Sequence, residues 1–144
     1  MSKRYLLLGS LALTLILFVG GGACGKKEEG PLGDKGIGPI TSISLGAIDP
    51  EKVTKGLQIF QTKCFVCHKL DEKLVGPALR GVTKRRSPEW ILNQMLNPTE
   101  MATKDPIAKD LVATLHTQMT PQGLSEEEAK SVLDYLRQVD SQAP

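Results

Sequence analysis

The sequence predicts an all-α domain, because signals that begin helices recur along it and convincing strand patterns are missing. Four positions combine a side chain that caps a helix N-terminus with a proline or an acid in the first turn. They are Asp49 with Pro50, Ser87 with Pro88, Asp105 with Pro106, and Ser125 with Glu128. Apolar residues follow each of them at helical spacing, whereas no segment alternates as a half-buried strand does.

The first predicted helix begins at Asp49 and runs into the motif CFVCH, residues 64–68. The second begins at Ser87 and stops before Asn97 and Pro98, because the residue before a proline avoids the helical conformation. The third follows Asp105 and the fourth follows Ser125. The apolar faces of the four are Val53, Gly56, Leu57 and Phe60; Trp90, Ile91, Met95 and Leu96; Ile107, Leu111 and Leu115; and Ala129, Val132, Leu133 and Leu136.

Residues 1–23 have the order of a secretory signal peptide: Lys3 and Arg4, an apolar run over residues 6–19, and then small residues. Because the run is shorter than the ~20 residues that cross a bilayer, we predict export to the periplasmic side. Cys24 follows directly and resembles the lipid-modified cysteine of bacterial lipoproteins, although Gly21 stands where those signals usually carry leucine. A plain signal peptide and an uncleaved anchor are the alternatives.

Residues 24–48 are rich in glycine and proline and lack apolar periodicity, which predicts a flexible tether. Such a coil spans about 25–30 Å. The folded domain is expected to occupy residues 49–144. Without the signal peptide, which contains Lys3 and Arg4, the chain has equal numbers of basic and acidic residues. This balance argues against nucleic acid as a partner, since nucleic-acid binding needs a net basic surface.

Aromatic residues make up only 4% of the 144-residue chain, which predicts a thin core that a large apolar cofactor could complete. CFVCH contributes three of the five cysteines and histidines, Cys64, Cys67 and His68. A thioredoxin-type redox pair belongs in a βαβ unit, and the sequence shows no strands. A structural zinc needs four ligands, and His116 is the one further candidate beside Cys64, Cys67 and His68. A plain disulfide leaves His68 unexplained. Covalent haem attachment uses all three residues, with His68 as an iron ligand.

Four downstream residues are candidates for the sixth iron ligand: Met95, Met101, His116 and Met119. Met95 lies on an apolar helix face and is expected to pack in the core. Met101 lies in a polar connection between prolines with nothing to position it. Met119 is favoured because Thr120 and Pro121 hold it in a non-helical stretch before the last helix. His116 is the main rival, and an open sixth site is the third alternative.

The motif, the segment from Gly76 to Leu79 and a lone methionine before a final helix together resemble a class I c-type cytochrome over residues 49–139. That resemblance implies four to five helices wrapped round one covalently bound haem. It implies that the first and last helices cross at Gly56, beside Phe60 and Tyr135. It also implies that the Pro77 carbonyl accepts a hydrogen bond from His68. Trp90 and Arg80 resemble donors to a haem propionate, with core packing and a surface position as their alternatives.

A narrower resemblance, over residues 69–86 and 105–109, is to the small membrane-tethered cytochromes of bacteria that carry clade II nitrous oxide reductase. A haem whose two axial positions are both filled by side chains has no room for a substrate, so its remaining function is electron transfer. We therefore expect a carrier and not an enzyme, with a membrane quinol-oxidising complex as donor and a terminal reductase or oxidase as acceptor. A haem enzyme or gas sensor with an open sixth site is the alternative. Basic residues that could steer an acidic partner are Lys63, Lys69, Lys73, Lys84, Arg85 and Arg86.

Overall fold

The computed structural model describes residues 33–142, so the predicted signal peptide and Cys24 lie outside the described residues. Residues 33–142 contain six α-helices and one π-helical turn but no strand, which confirms the all-α prediction. The helices are α1 Pro50–Ile59, α2 Val82–Arg85, α3 Pro88–Leu96, α4 Pro98–Lys104, α5 Pro106–Leu115 and α6 Glu126–Ser141, with the π-helical turn at Phe60–Cys64. Within this range no helix is long and apolar enough to cross a bilayer.

The four predicted helix starts are all observed. The Asp49 carboxylate accepts a hydrogen bond from the Glu51 backbone N–H at 2.9 Å, and Asp105 accepts one from Ala108 at 2.7 Å. Ser87 caps α3 through the Trp90 N–H, and Ser125 and Glu128 form a reciprocal capping box for α6. Each cap satisfies backbone donors that a helix N-terminus leaves without a partner.

Two short helices, α2 and α4, were not predicted. The segment containing Met101 is therefore helical and is not an irregular connection. Helix α2 has no side-chain cap of its own, because Gly81 at its start lacks a side chain. Asp140 of α6 supplies the cap instead: its buried carboxylate accepts hydrogen bonds from the backbone N–H groups of Gly81 and Thr83. This cap ties α2 to the last helix.

Helices α1 and α6 cross in close contact, as the family resemblance implied. A methyl group at Gly56 would lie 2.0 Å from the Ser131 carbonyl oxygen, so only glycine permits this separation of the two backbones. The rings of Phe60 and Tyr135 pack beside the crossing with their centroids 5.2 Å apart. The buried apolar faces of α1, α3 and α6 complete the core around it.

The prediction of a flexible tether is wrong for residues 34–48, because these residues are docked on the helices. We call this segment the strap. Asn93 of α3 holds the strap: its side-chain amide donates to the Lys35 and Ile40 carbonyl oxygens and accepts from the Ile40 N–H. Ile40 is buried in the core cluster. Further along, Arg137 donates to the Gly46 carbonyl oxygen at 2.8 Å. The folded unit therefore begins before residue 49.

Candidate functional site

The CFVCH motif begins at the end of the π-helical turn and continues into a tight turn. The backbone N–H groups of Cys67 and His68 both donate to the Cys64 carbonyl oxygen, at 3.1 and 2.9 Å. The two cysteines are partly buried and no disulfide joins them. Burial raises the pKa of the Cys64 thiol, an effect that the Lys63 ammonium opposes. This turn brings both sulfur atoms and the imidazole to one wall of a cavity.

His68 is held in one orientation by the loop that follows it. Its Nδ1 lies 3.0 Å from the Pro77 carbonyl oxygen, the contact that the family resemblance implied. Since a carbonyl can only accept, Nδ1 carries the proton and the Nε2 lone pair is free to bind a metal. Gly76 lies against the imidazole: a methyl group there would be 2.3 Å from Cε1. Glycine at this position lets the backbone support the ring directly.

The cavity has a volume of about 350 Å³, and most of its lining side chains are apolar. Helices α3 and α5 contribute Trp90, Ile91, Leu111 and Leu115, and α6 contributes Val132 and Leu136. The apolar cavity is thus lined by two cysteine side chains, by an imidazole with a free Nε2 and by helices from both ends of the domain. That donor set fits a haem attached through Cys64 and Cys67.

The four candidates for the sixth iron ligand have different surroundings. Met119 lines the cavity and is partly buried against the core. Met95 also lines the cavity and belongs to the core, in agreement with its predicted packing role. Met101 is fully buried elsewhere, where its sulfur accepts the Ile37 N–H of the strap at 2.9 Å. His116 ends α5 in a left-handed conformation and is not part of the cavity lining.

In this structure Arg80 and Trp90 occupy the positions given above as their alternatives, a surface position for Arg80 and core packing for Trp90. The Arg80 guanidinium forms a two-pronged ion pair with Asp71, and this hydrogen bonding lowers the pKa of the Asp71 carboxyl group. Arg80 is also absent from the cavity lining. The single indole N–H of Trp90 is donated to Asp105 at 3.1 Å, so it has no proton left for a propionate. The ring of Trp90 nevertheless forms part of the cavity wall.

Other residues at the cavity were not singled out as cofactor contacts from the sequence. Arg85 and Arg86 line it, with the Arg86 guanidinium 5.4 Å from the centre of the Trp90 ring. Gln94 also lines it, and the side-chain oxygen of Gln94 is buried without a hydrogen-bond partner. One signal could have revealed Gln94: it lies four residues after Trp90, so both side chains lie on the same face of α3.

The fold and the site define an all-helical domain built for a covalently attached haem. The cytochrome c family model matches residues 53–140, so the chain belongs to the cytochrome c family. Members of this family carry one covalently attached haem c. This chain therefore carries haem c, and the positions of Cys64 and Cys67 fit its covalent attachment.

Among solved structures, the chain is similar to cytochrome c from Rhodothermus marinus, with 50% identity and a TM-score of 0.72. That match covers 74% of this chain and 92% of the other. A cytochrome c-553-like protein of Synechocystis is 38% identical over 61 residues, covering 33% of this chain and 58% of the relative. Cytochrome c2 of Rhodopseudomonas palustris is 37% identical over 46 residues, covering 32% of each chain. This chain thus spans a third to three fifths of the two curated relatives.

Proposed function

We propose that this protein is an exported one-electron carrier whose haem iron is bound by His68 and Met119. The observation that carries the proposal is that a fixed imidazole and a thioether, from separate segments, line the same apolar cavity. When bound, haem c supplies a reversible one-electron iron couple. With both axial positions occupied by side chains, no substrate reaches the metal, and electron transfer remains as the activity.

The residues of this chain contribute three things to such a carrier. The Pro77 carbonyl oxygen keeps the proton on Nδ1 of His68, which orients the ring and makes it a better ligand. The apolar wall excludes water, and a dry site favours the less charged reduced state. Met119 reinforces this preference, because a thioether donates less electron density to the oxidised iron than a second imidazole does.

The surface around CFVCH supports docking of a redox partner. Four large apolar side chains within or near the motif are exposed, with Val66 the most exposed at 74%; the others are Phe65, Leu74 and Val75. Lys63, Arg85 and Arg86 line the cavity, and the Lys69 ammonium lies over the Phe65 ring. An apolar patch flanked by positive charges suits a brief encounter with an acidic surface. We infer that the donor is a membrane quinol-oxidising complex and the acceptor a terminal reductase or oxidase, with nitrous oxide reductase as the candidate suggested by sequence resemblance.

Reoxidation of the reduced protein by a purified acceptor is expected to slow as salt is added, because screening removes electrostatic steering. Lys69→Glu reverses a charge beside the exposed Phe65 and should lower the second-order rate constant by about three- to tenfold at low salt. Lys109→Glu makes the same change on α5, where Lys109 is exposed and absent from the cavity lining, and should leave the rate near that of the unmodified protein. Stopped-flow measurement with nitrous oxide reductase or a terminal oxidase tests both. Rates that do not change with ionic strength contradict the docking surface.

We further propose that Cys24 carries a lipid that anchors the protein to the membrane. Since the strap is docked from residue 34, only the nine residues 25–33, or ten Cα–Cα steps, separate the anchor from the folded unit. That segment reaches at most about 33–36 Å when fully extended, so the domain stays close to the membrane surface. Cys24→Ser is expected to move the protein from the membrane fraction to the soluble fraction of exported material. A protein that is soluble with Cys24 intact contradicts the anchor.

A further inference from the structure

Asp105 is a carboxylate buried directly behind one wall of the haem cavity. The residue is only 1% exposed. One of its oxygen atoms, Oδ1, accepts both the indole N–H of Trp90, at 3.1 Å, and the backbone N–H of Ala108, at 2.7 Å. Trp90 and Ala108 both line the cavity. A single layer of wall residues therefore separates this carboxylate from the cavity.

Asp105 has no ion-pair partner in the part of the chain that the structure describes. The neighbouring Lys104 pairs with Glu100, and the Arg86 guanidinium lies over the Trp90 ring without pairing with Asp105. The carboxylate is stabilised instead by its two N–H donors and by the N-terminus of α5, which it caps. These dipoles favour the ionised group but bring no opposite charge. A net negative charge is left in the interior.

From these observations we infer that Asp105 lowers the reduction potential of the haem. When the iron passes one electron to a redox partner it gains a positive charge, while no bond forms or breaks. A fixed negative charge behind the cavity wall stabilises that oxidised state, and an apolar interior screens the attraction far less than water does. Asp105 thus opposes the dry wall, which favours the reduced state. This inference refines the proposed carrier function, but it depends on the haem and not on the identity of the sixth ligand.

Asp105→Asn tests the inference because it removes the charge and keeps the contacts. Asparagine is a good helix N-cap, and its side-chain oxygen can accept both hydrogen bonds that Oδ1 accepts. At a fixed ambient potential, the ratio of reduced to oxidised holo-protein is expected to rise about three- to tenfold, which corresponds to about 28–59 mV for a one-electron couple. A spectroscopic redox titration measures this ratio. The near-infrared spectrum of the ferric variant should match that of the unmodified protein, because the axial ligands are untouched.

Asp49→Asn is the matched control. Asp49 caps α1 as Asp105 caps α5, so the substitution makes the same change in net charge and in capping chemistry. Asp49 is partly exposed and is not part of the cavity lining, so water and salt screen its charge. Its replacement should leave the ratio within about 1.5-fold of that of the unmodified protein. The rise caused by Asp105→Asn should persist at high salt, since a buried charge is screened much less.

An unchanged ratio for Asp105→Asn overturns the inference, because a residue that only caps α5 and holds Trp90 affects the melting temperature and not the potential. An equal rise for Asp49→Asn also overturns it, since the effect would then come from net charge. A rise with an altered near-infrared spectrum counts against it as well, because ligand exchange would be the cause. If Asp105→Asn does not accumulate as holo-protein, Asp105→Ser is titrated in the same way, since serine caps helices and carries no charge. Failure of the proposed Met119 ligation is distinguishable, because it shows in the near-infrared spectrum of the unmodified protein.

Discussion

Met119→Ala is expected to abolish the near-infrared sulfur-to-iron absorption of the ferric holo-protein and to let the ferrous form bind carbon monoxide. The physical reason is that alanine leaves one axial position without a side-chain donor. The reduction potential should fall by a sizeable part of the roughly 0.8 V range over which axial ligands set haem potentials, because thioether ligation favours the reduced iron. Absorption spectra of both oxidation states and a redox titration measure the two effects.

Met101→Leu is the matched control for this experiment. Met101 is fully buried and its sulfur accepts the Ile37 N–H of the strap. Leucine keeps most of the volume but not the acceptor, so we expect a loss of about 1–2 kcal/mol in unfolding free energy and an intact sulfur-to-iron band. A Met119→Ala protein with an unchanged spectrum contradicts the proposed ligation and returns the role to another candidate.

Gly56→Ala is expected to lower the stability of the fold, because it adds a methyl group where α1 and α6 cross. The added methyl group would meet the Ser131 carbonyl oxygen at 2.0 Å and the Tyr135 Cβ at 2.9 Å. Helices α1 and α6 must separate to accept it, and overpacking of this kind costs about 1–3 kcal/mol or more. Thermal unfolding of the holo-protein measures the loss as a lower melting temperature.

Gly46→Ala makes the same chemical change where there is room for it. No atom lies within 4 Å of a methyl group at Gly46, and the carbonyl oxygen that accepts from Arg137 is retained. Its effect on the unfolding free energy should stay within about 0.5 kcal/mol. Equal melting temperatures for the two alanine variants would show that the crossing does not depend on close backbone contact at Gly56.

The helix starts and the attachment motif could be predicted because they are local. A cap at Ser125 and its partner Glu128 lie three residues apart, so their sequence spacing already determines their geometry. The same holds for Cys64, Cys67 and His68, which one turn of backbone brings to a common wall. Chemistry that needs only neighbours in sequence can be predicted without a fold.

The strap shows where this kind of prediction fails. Its glycines and prolines are typical of a flexible linker, yet Asn93 hydrogen-bonds to Ile40 from 53 positions away. Gly38 is needed there because a methyl group would lie 2.4 Å from the Asn93 side-chain oxygen. The composition of a segment indicates how that segment behaves in isolation. It does not indicate that the side-chain amide of Asn93, on a distant helix, forms hydrogen bonds with the backbone of the strap.

The division between the two levels follows from the range of the interactions. Capping signals and apolar spacing predicted four of the six α-helices of the described residues, and CFVCH predicted the covalent haem, since each signal depends on residues within a few positions of one another. Tertiary packing decided the hydrogen-bond acceptors of Trp90 and Arg80. It placed Asp105 next to Trp90 and Asp71 next to Arg80. Packing also left the Gln94 oxygen without a donor. A side-chain hydrogen bond goes to whichever partner the fold brings within about 3 Å, and that choice exists only once the helices have assembled.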